Sequence, residues 1–113
     1  MSDTNRIYIE GAVVRAFEPR RSKNGSERAI ATVLTEETLP GGKVIKAYHP
    51  VVGWDAMARE IGTWASGKRV RLVGRMRYRG ERIDDKYVND AEIILIEVKD
   101  TDDDVDFSSE IPF

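Results

Sequence analysis

Ile7, Ile9, Gly11 and Val13 alternate with Tyr8, Glu10, Ala12 and Val14, a period of two that predicts a strand. Residues 28–35 are β-branched and mostly apolar, and 44–54 continue in that style, so a second and a third strand are expected there. Pro50 has no backbone donor, so the third strand should include an edge, a bulge or a bend. Val70, Leu72, Gly74, Met76 and Tyr78 alternate with Arg69, Arg71, Val73, Arg75, Arg77 and Arg79, the clearest strand pattern in the chain. A last strand is expected over 87–98, nearly all apolar from Ile93 to Ile96.

Turn chemistry separates these runs. Asn24-Gly25 tolerates positive φ and predicts a hairpin, and Pro40-Gly41-Gly42 makes a second break. Residues 80–86 read as a flexible third hairpin tip. One helix is expected over 55–65, with Asp55 capping its start by accepting from free backbone N–H groups. Met57, Ile61 and Trp64 would form its apolar face, and Gly67 would end it in the left-handed conformation. Three strands, one helix and two strands fit an all-β, five-stranded OB-fold barrel with its helix between strands 3 and 4.

Length and composition refine this to one domain over 1–98 and a tail over 99–113. The tail holds one base against six acids, a net −5, which leaves +3 for the body out of the total −2. Its composition predicts disorder. It ends in an apolar tip, Ile111-Pro112-Phe113, and two readings are open: a peptide offered to a partner's pocket, or a solubilising acidic tail. With no apolar run long enough to span a membrane, no leader pattern and no cysteine, a cytoplasmic setting without disulfides is expected.

Residues 68–82 carry seven bases against Glu81, and alternation puts Arg69, Arg71, Arg75, Arg77 and Arg79 on one face of a strand. Guanidinium forks match phosphate, so this face reads as a phosphate site; the alternative is a solvated face balanced by acids on neighbouring strands. Arg28 belongs to a second basic cluster around the first hairpin, with Arg15, Arg20, Arg21 and Lys23. Tyr48, Trp54 and Tyr78 lie on or beside the basic strands, where exposed rings would stack unpaired bases; the same rings could instead fill the core. Trp64 belongs to the core, while Tyr8, Phe17 and Tyr87 are left undecided.

Several motifs together resemble the bacterial and phage single-stranded DNA-binding proteins. Residues 5–11 (Asn-Arg-Ile-Tyr-Ile-Glu-Gly) resemble the first strand of that family, followed by its Pro at Pro19. Residues 29–35 resemble its second strand. Tyr48-His49-Pro50-Val51-Val52-Gly53-Trp54 is similar to its Trp-His-x-Val-Val-x-Phe, and residues 67–79 to its Gly-x-x-Val-x-Val-x-Gly-x-Leu-x-x-Arg. The acidic run with its Ile-Pro-Phe end resembles the family's signature tip.

The resemblance implies sequence-independent coating of single-stranded DNA in replication, recombination and repair. It places Arg6, Tyr48, Trp54, Arg77 and Arg79 on the strand path. Asp104, Asp106, Phe107, Ile111, Pro112 and Phe113 would dock replication and repair enzymes. It also implies a homotetramer with His49 near the subunit interface, acting in the bacterial nucleoid or a phage-infected cell. Pro50 replaces a common basic residue, and the usual long Gly/Gln/Pro-rich linker is missing.

An enzyme is the first competing class. A metal-dependent nuclease needs carboxylates held in place, yet Asp84-Asp85 and Asp102-Asp103-Asp104 fall in segments expected to be flexible, and His49 is the only histidine. No catalytic residue, metal or cofactor is therefore expected. The second competing class is an adaptor with the same barrel that binds DNA weakly.

Overall fold

Period-two patterning becomes long paired strands in the computed structural model, which describes residues 3–83 and 86–99 and, for 79–83 and 86–90, the backbone alone. The elements are β1 (Ile7–Ala16), the two-residue β2 (Arg20–Arg21), β3 (Glu27–Thr38), β4 (Val44–Trp54), α1 (Ala56–Gly62), β5 (Arg69–Ile83) and β6 (Lys86–Lys99). Sheet order is β1-β5-β6-β4-β3-β2, and β1 also pairs with β3, so the five long strands close into a barrel. Closure between β4 and β6 rests on a short parallel pairing, Val51 with Ile93 and Val52 with Ile94. The helix lies between the third and fourth long strands, as expected for an OB-fold.

The inward set is apolar and small enough to fill a narrow barrel: Ile9, Val13, Ala29, Ala31, Val33, Val51, Val70, Leu72, Ile93 and Leu95, closed at one end by Ala58, Ile61 and Trp64. At Gly53 an added Cβ would come within 2.7 Å of the Met57 carbonyl and 2.8 Å of Ile61 Cδ1, so only glycine lets α1 sit this close to β4. Pro50 fits β4 because the strand is hydrogen-bonded to β3 throughout but meets β6 only from Val51 onward.

Four details differ from expectation. The helix stops at Gly62, with Thr63 as its C-cap, and Trp64 enters the core from beyond its end. Gly67 is left-handed at φ 91°, but in the connecting turn, where its N–H donates to the Val13 carbonyl at 2.7 Å. Asp55 is the N-cap residue of α1, but its side chain makes no capping bond: at φ 52° its Oδ1 accepts instead from the Glu27 N–H at 3.1 Å, while its own N–H donates to the Glu27 carbonyl at 2.9 Å. Finally, the β5–β6 ladder continues through Gly80 as far as Ile83 opposite Lys86, in place of a loop over 80–86.

One irregularity aims side chains outward. The β1–β3 register runs Val13 with Val33, then Arg15 with Thr32 and Ala16 with Ala31, so Val14 is an extra residue in β1. A bulge of this kind shifts the inward–outward alternation by one. Ala16 therefore packs on the core, and Arg15 and Phe17 face out.

Candidate nucleic-acid interface

Directly opposed residues in a sheet share a face. Following the registers outward, Arg77 lies opposite Glu92 and Arg75 opposite Ile94 on β5 and β6. Ile94 pairs with Val52, Val52 with Ile30, Trp54 with Arg28, Pro50 with Thr32 and Tyr48 with Leu34. One outer face of the barrel thus brings Arg28, Tyr48, Trp54, Arg75 and Arg77 together over an apolar floor of Val52 and Ile94, both buried. Ile30 and Pro50 are exposed on the same surface. Periodicity identified the basic strand and the rings; the floor between them depends on which strands become neighbours.

The Arg28 guanidinium lies over the Trp54 ring, 5.8 Å from its centroid, with Trp54 half-buried. The first residue of β3 fixes this pair from behind, because Glu27 exchanges hydrogen bonds with Asp55 and accepts from Arg59 Nη1 at 3.0 Å. Tyr48 is 61% exposed, so its ring is available to a ligand on both counts, position and accessibility. Arg6 is exposed just before β1. Its neighbour Asn5 extends the β1–β5 ladder by one rung: its Nδ2 donates to the Met76 carbonyl at 2.8 Å and its Oδ1 accepts from the Met76 N–H at 3.1 Å.

The arginines of β5 share the strand's outer face but fall into two groups. Arg69 and Arg71 stand opposite Ala12 and Glu10 of β1, and Arg71 Nε is 3.2 Å from a Glu10 carboxylate oxygen. Arg75 is exposed beside Ile94, while Arg77 pairs with the buried carboxylate of Glu92. For Arg71 and Arg77, acids on adjacent strands do stand beside the bases. Tyr78 is 69% exposed but lies on the opposite face of the β5–β6 ribbon from Arg75 and Arg77, in step with Met76. The Arg79 side chain and the six tail residues singled out above lie outside the described residues.

His49 points inward from β4 and is half-buried, with Nε2 2.9 Å from the Thr35 hydroxyl. Burial lowers the imidazole's pKa below its ordinary 6.5, against the opposing pull of the Glu37 carboxylate. Among the described residues no group of three or more His, Cys, Asp or Glu side chains is placed to hold a metal ion, and no helix is long and apolar enough to cross a membrane.

A family model described as "Single-strand binding protein family" matches residues 4–100. The chain belongs to that family. No curated relative matches it. Among solved structures it is similar to the Plasmodium falciparum SSB in complex with ssDNA, at TM-score 0.75 and 22% identity, covering 84% of this chain and 88% of that one. It is also similar to the protein PriB from Ralstonia solanacearum, at TM-score 0.68 and 13% identity, covering 88% and 99%. At these identities the two likenesses speak for the barrel alone. Membership of the single-strand binding family identifies the chain's class as one of strand-binding proteins rather than catalysts.

Proposed function

We propose that this protein coats single-stranded DNA without regard to sequence, using the Arg28–Trp54–Tyr48 face and Arg75 of β5. The observation that carries this reading is the juxtaposition of an exposed tyrosine, an arginine-backed tryptophan and a row of arginines on one barrel face, in a chain of the single-strand binding family. Rings stack unpaired bases, whose faces are alike enough for binding to be nearly blind to sequence, and guanidinium groups neutralise phosphates. Duplex bases are already stacked and offer nothing to the rings. Coating would serve replication, recombination and repair by preventing re-pairing and nuclease attack.

The division into a binding domain over 1–98 and an acidic tail over 99–113 belongs to the same proposal. In it, Asp104, Asp106, Phe107, Ile111, Pro112 and Phe113 recruit partner enzymes. The chain acts as a homotetramer with His49 near the subunit interface, in the bacterial cytoplasm or a phage-infected cell. Arg6, Arg69, Arg71, Arg77 and Arg79 complete the proposed strand path, and Tyr78 joins it where the strand passes round the β5–β6 ribbon to its other side.

The deciding experiment is a titration of intrinsic tryptophan fluorescence with poly(dT) and with duplex DNA across a salt series. Stoichiometric quenching by poly(dT) alone is expected, weakening as salt rises. Equal affinity for duplex, or no quenching, would overturn the reading in favour of an adaptor that uses the arginine face for another partner.

A further inference from the structure

The bulge at Val14 places Phe17 on the same outer surface as the proposed interface, 46% exposed and tied to β3 by its N–H donating to the Ile30 carbonyl at 3.0 Å. Beyond it a groove of about 450 Å³ opens, lined by Phe17, Glu18, Arg20, Arg21, Arg28 and Ile30. That volume is within the roughly 300–1,000 Å³ typical of small-ligand sites. Arg28 is shared: its guanidinium covers Trp54 and its side chain also walls the groove, so groove and interface are continuous.

A second observation is independent of the shape. Arg20 of β2 stands directly opposite Arg28 of β3 in an antiparallel pair. Like charges so placed destabilise a ladder unless something negative lies between them. Arg21 stands opposite Glu27 in the same pair and so lies on the other face, which leaves Arg20 and Arg28 as the charges facing the groove, beside the single carboxylate of Glu18 in its lining. Apolar surface beside paired guanidinium groups suits an unpaired nucleotide: a planar base over Phe17 and Ile30, and a phosphate held by two forks.

We infer that this groove is a nucleotide subsite that lengthens the strand path past Trp54, with the base against Phe17 and its phosphate between Arg20 and Arg28. The inference rests on the single-strand reading above. It gives Phe17 a function that requires its exposure, and it accounts for Arg20 standing directly opposite Arg28.

The test uses the full chain and oligo(dT) lengthened one nucleotide at a time, comparing wild type with Phe17→Ala and Arg20→Gln. Short oligomers that cover only the Trp54 face should bind all three alike, apart from a small electrostatic loss in R20Q. Longer oligomers should gain affinity in the wild type, and F17A should forfeit that gain, binding about tenfold or more weakly. R20Q should lower the slope of log affinity against log salt by about 0.7 on the longer oligomers, the loss of one phosphate contact. A 5-iodouracil placed along the oligomer should crosslink to the peptide containing Phe17 from one end position only.

Equal length dependence in wild type and F17A, with no crosslink at Phe17, would overturn the subsite while leaving the single-strand reading intact. If F17A instead lost affinity only for a peptide of residues 102–113, the groove would be a peptide site and the inference would fall. Absence of oligo(dT) binding by the wild type would remove both readings.

Discussion

Glu92 and Arg77 face each other across β5 and β6, and the guanidinium directs both Nε and Nη2 at the same carboxylate oxygen, Nε at 2.9 Å. The two ends differ in exposure. The Arg77 side chain is 38% exposed and the Glu92 side chain 9%, and Glu92 is the buried polar side chain among the described residues.

That asymmetry predicts an unequal response to mutation. Arg77→Ala leaves a buried carboxylate with no partner and should destabilise the barrel by about 1–3 kcal/mol. Glu92→Gln keeps an acceptor for a guanidinium that water already reaches, and should cost less, about 1 kcal/mol or below. Urea denaturation of both variants measures the order; a larger loss in E92Q would contradict the argument. Arg75 has no acid opposite it, so R75A should reduce strand affinity with stability unchanged, making it the cleaner probe of phosphate binding.

The two tryptophans should report differently. Trp54 is half-buried on the proposed interface, whereas Trp64 is 6% exposed, with its indole N–H 3.4 Å from a Glu60 carboxylate oxygen. Trp54→Phe should therefore abolish fluorescence quenching by poly(dT) while a ring remains to stack, with affinity reduced by less than the roughly 1–3 kcal/mol attached to losing a base–ring contact altogether. Quenching that persists in W54F would place a ligand near Trp64 and contradict the proposed path.

His49 predicts an acid-side loss of stability. Burial lowers its pKa in the folded state, so between that value and the ordinary 6.5 the unfolded chain binds more protons. Its contribution is fully present above 6.5 and is lost as pH falls through that window. Melting temperature should decline as pH falls from about 6.5 toward 5, and His49→Gln should flatten the slope in that range. A slope identical in wild type and H49Q would mean that other groups cause it.

Charge separation along the chain predicts competition. The body carries +3 and residues 99–113 carry −5, joined by a short connection. Removing residues 102–113 should tighten poly(dT) binding, with the gain greatest at low salt, because screening weakens any contact between acidic segment and arginine face. Unchanged or weaker binding by the shortened chain would exclude such competition.

Strands were legible in the sequence because their signal is local. Each inward residue of β5, from Val70 to Met76, recurs every second position whatever lies next to the strand. The two hairpins were legible for a similar reason: Gly25, Gly41 and Gly42 adopt positive φ, and the residue types announce it. Asp55 was misread because its side chain serves a residue 28 positions away, Glu27, in place of the helix start beside it. Phe17 stayed undecided because its orientation depends on the Val14 bulge, and a bulge exists only in the register between two strands.

The chain's own pattern thus determined the barrel, its helix, the basic strand and the aromatic candidates, since periodicity and turn chemistry act within a few residues. Tertiary structure decided which candidates meet. It set Arg28 over Trp54, gave Arg71 to Glu10 and Arg77 to Glu92, turned Tyr78 to the other side of its ribbon, and placed Arg20 against Arg28. Those are pairings between strands distant in sequence, and they follow from how the closed sheet is aligned.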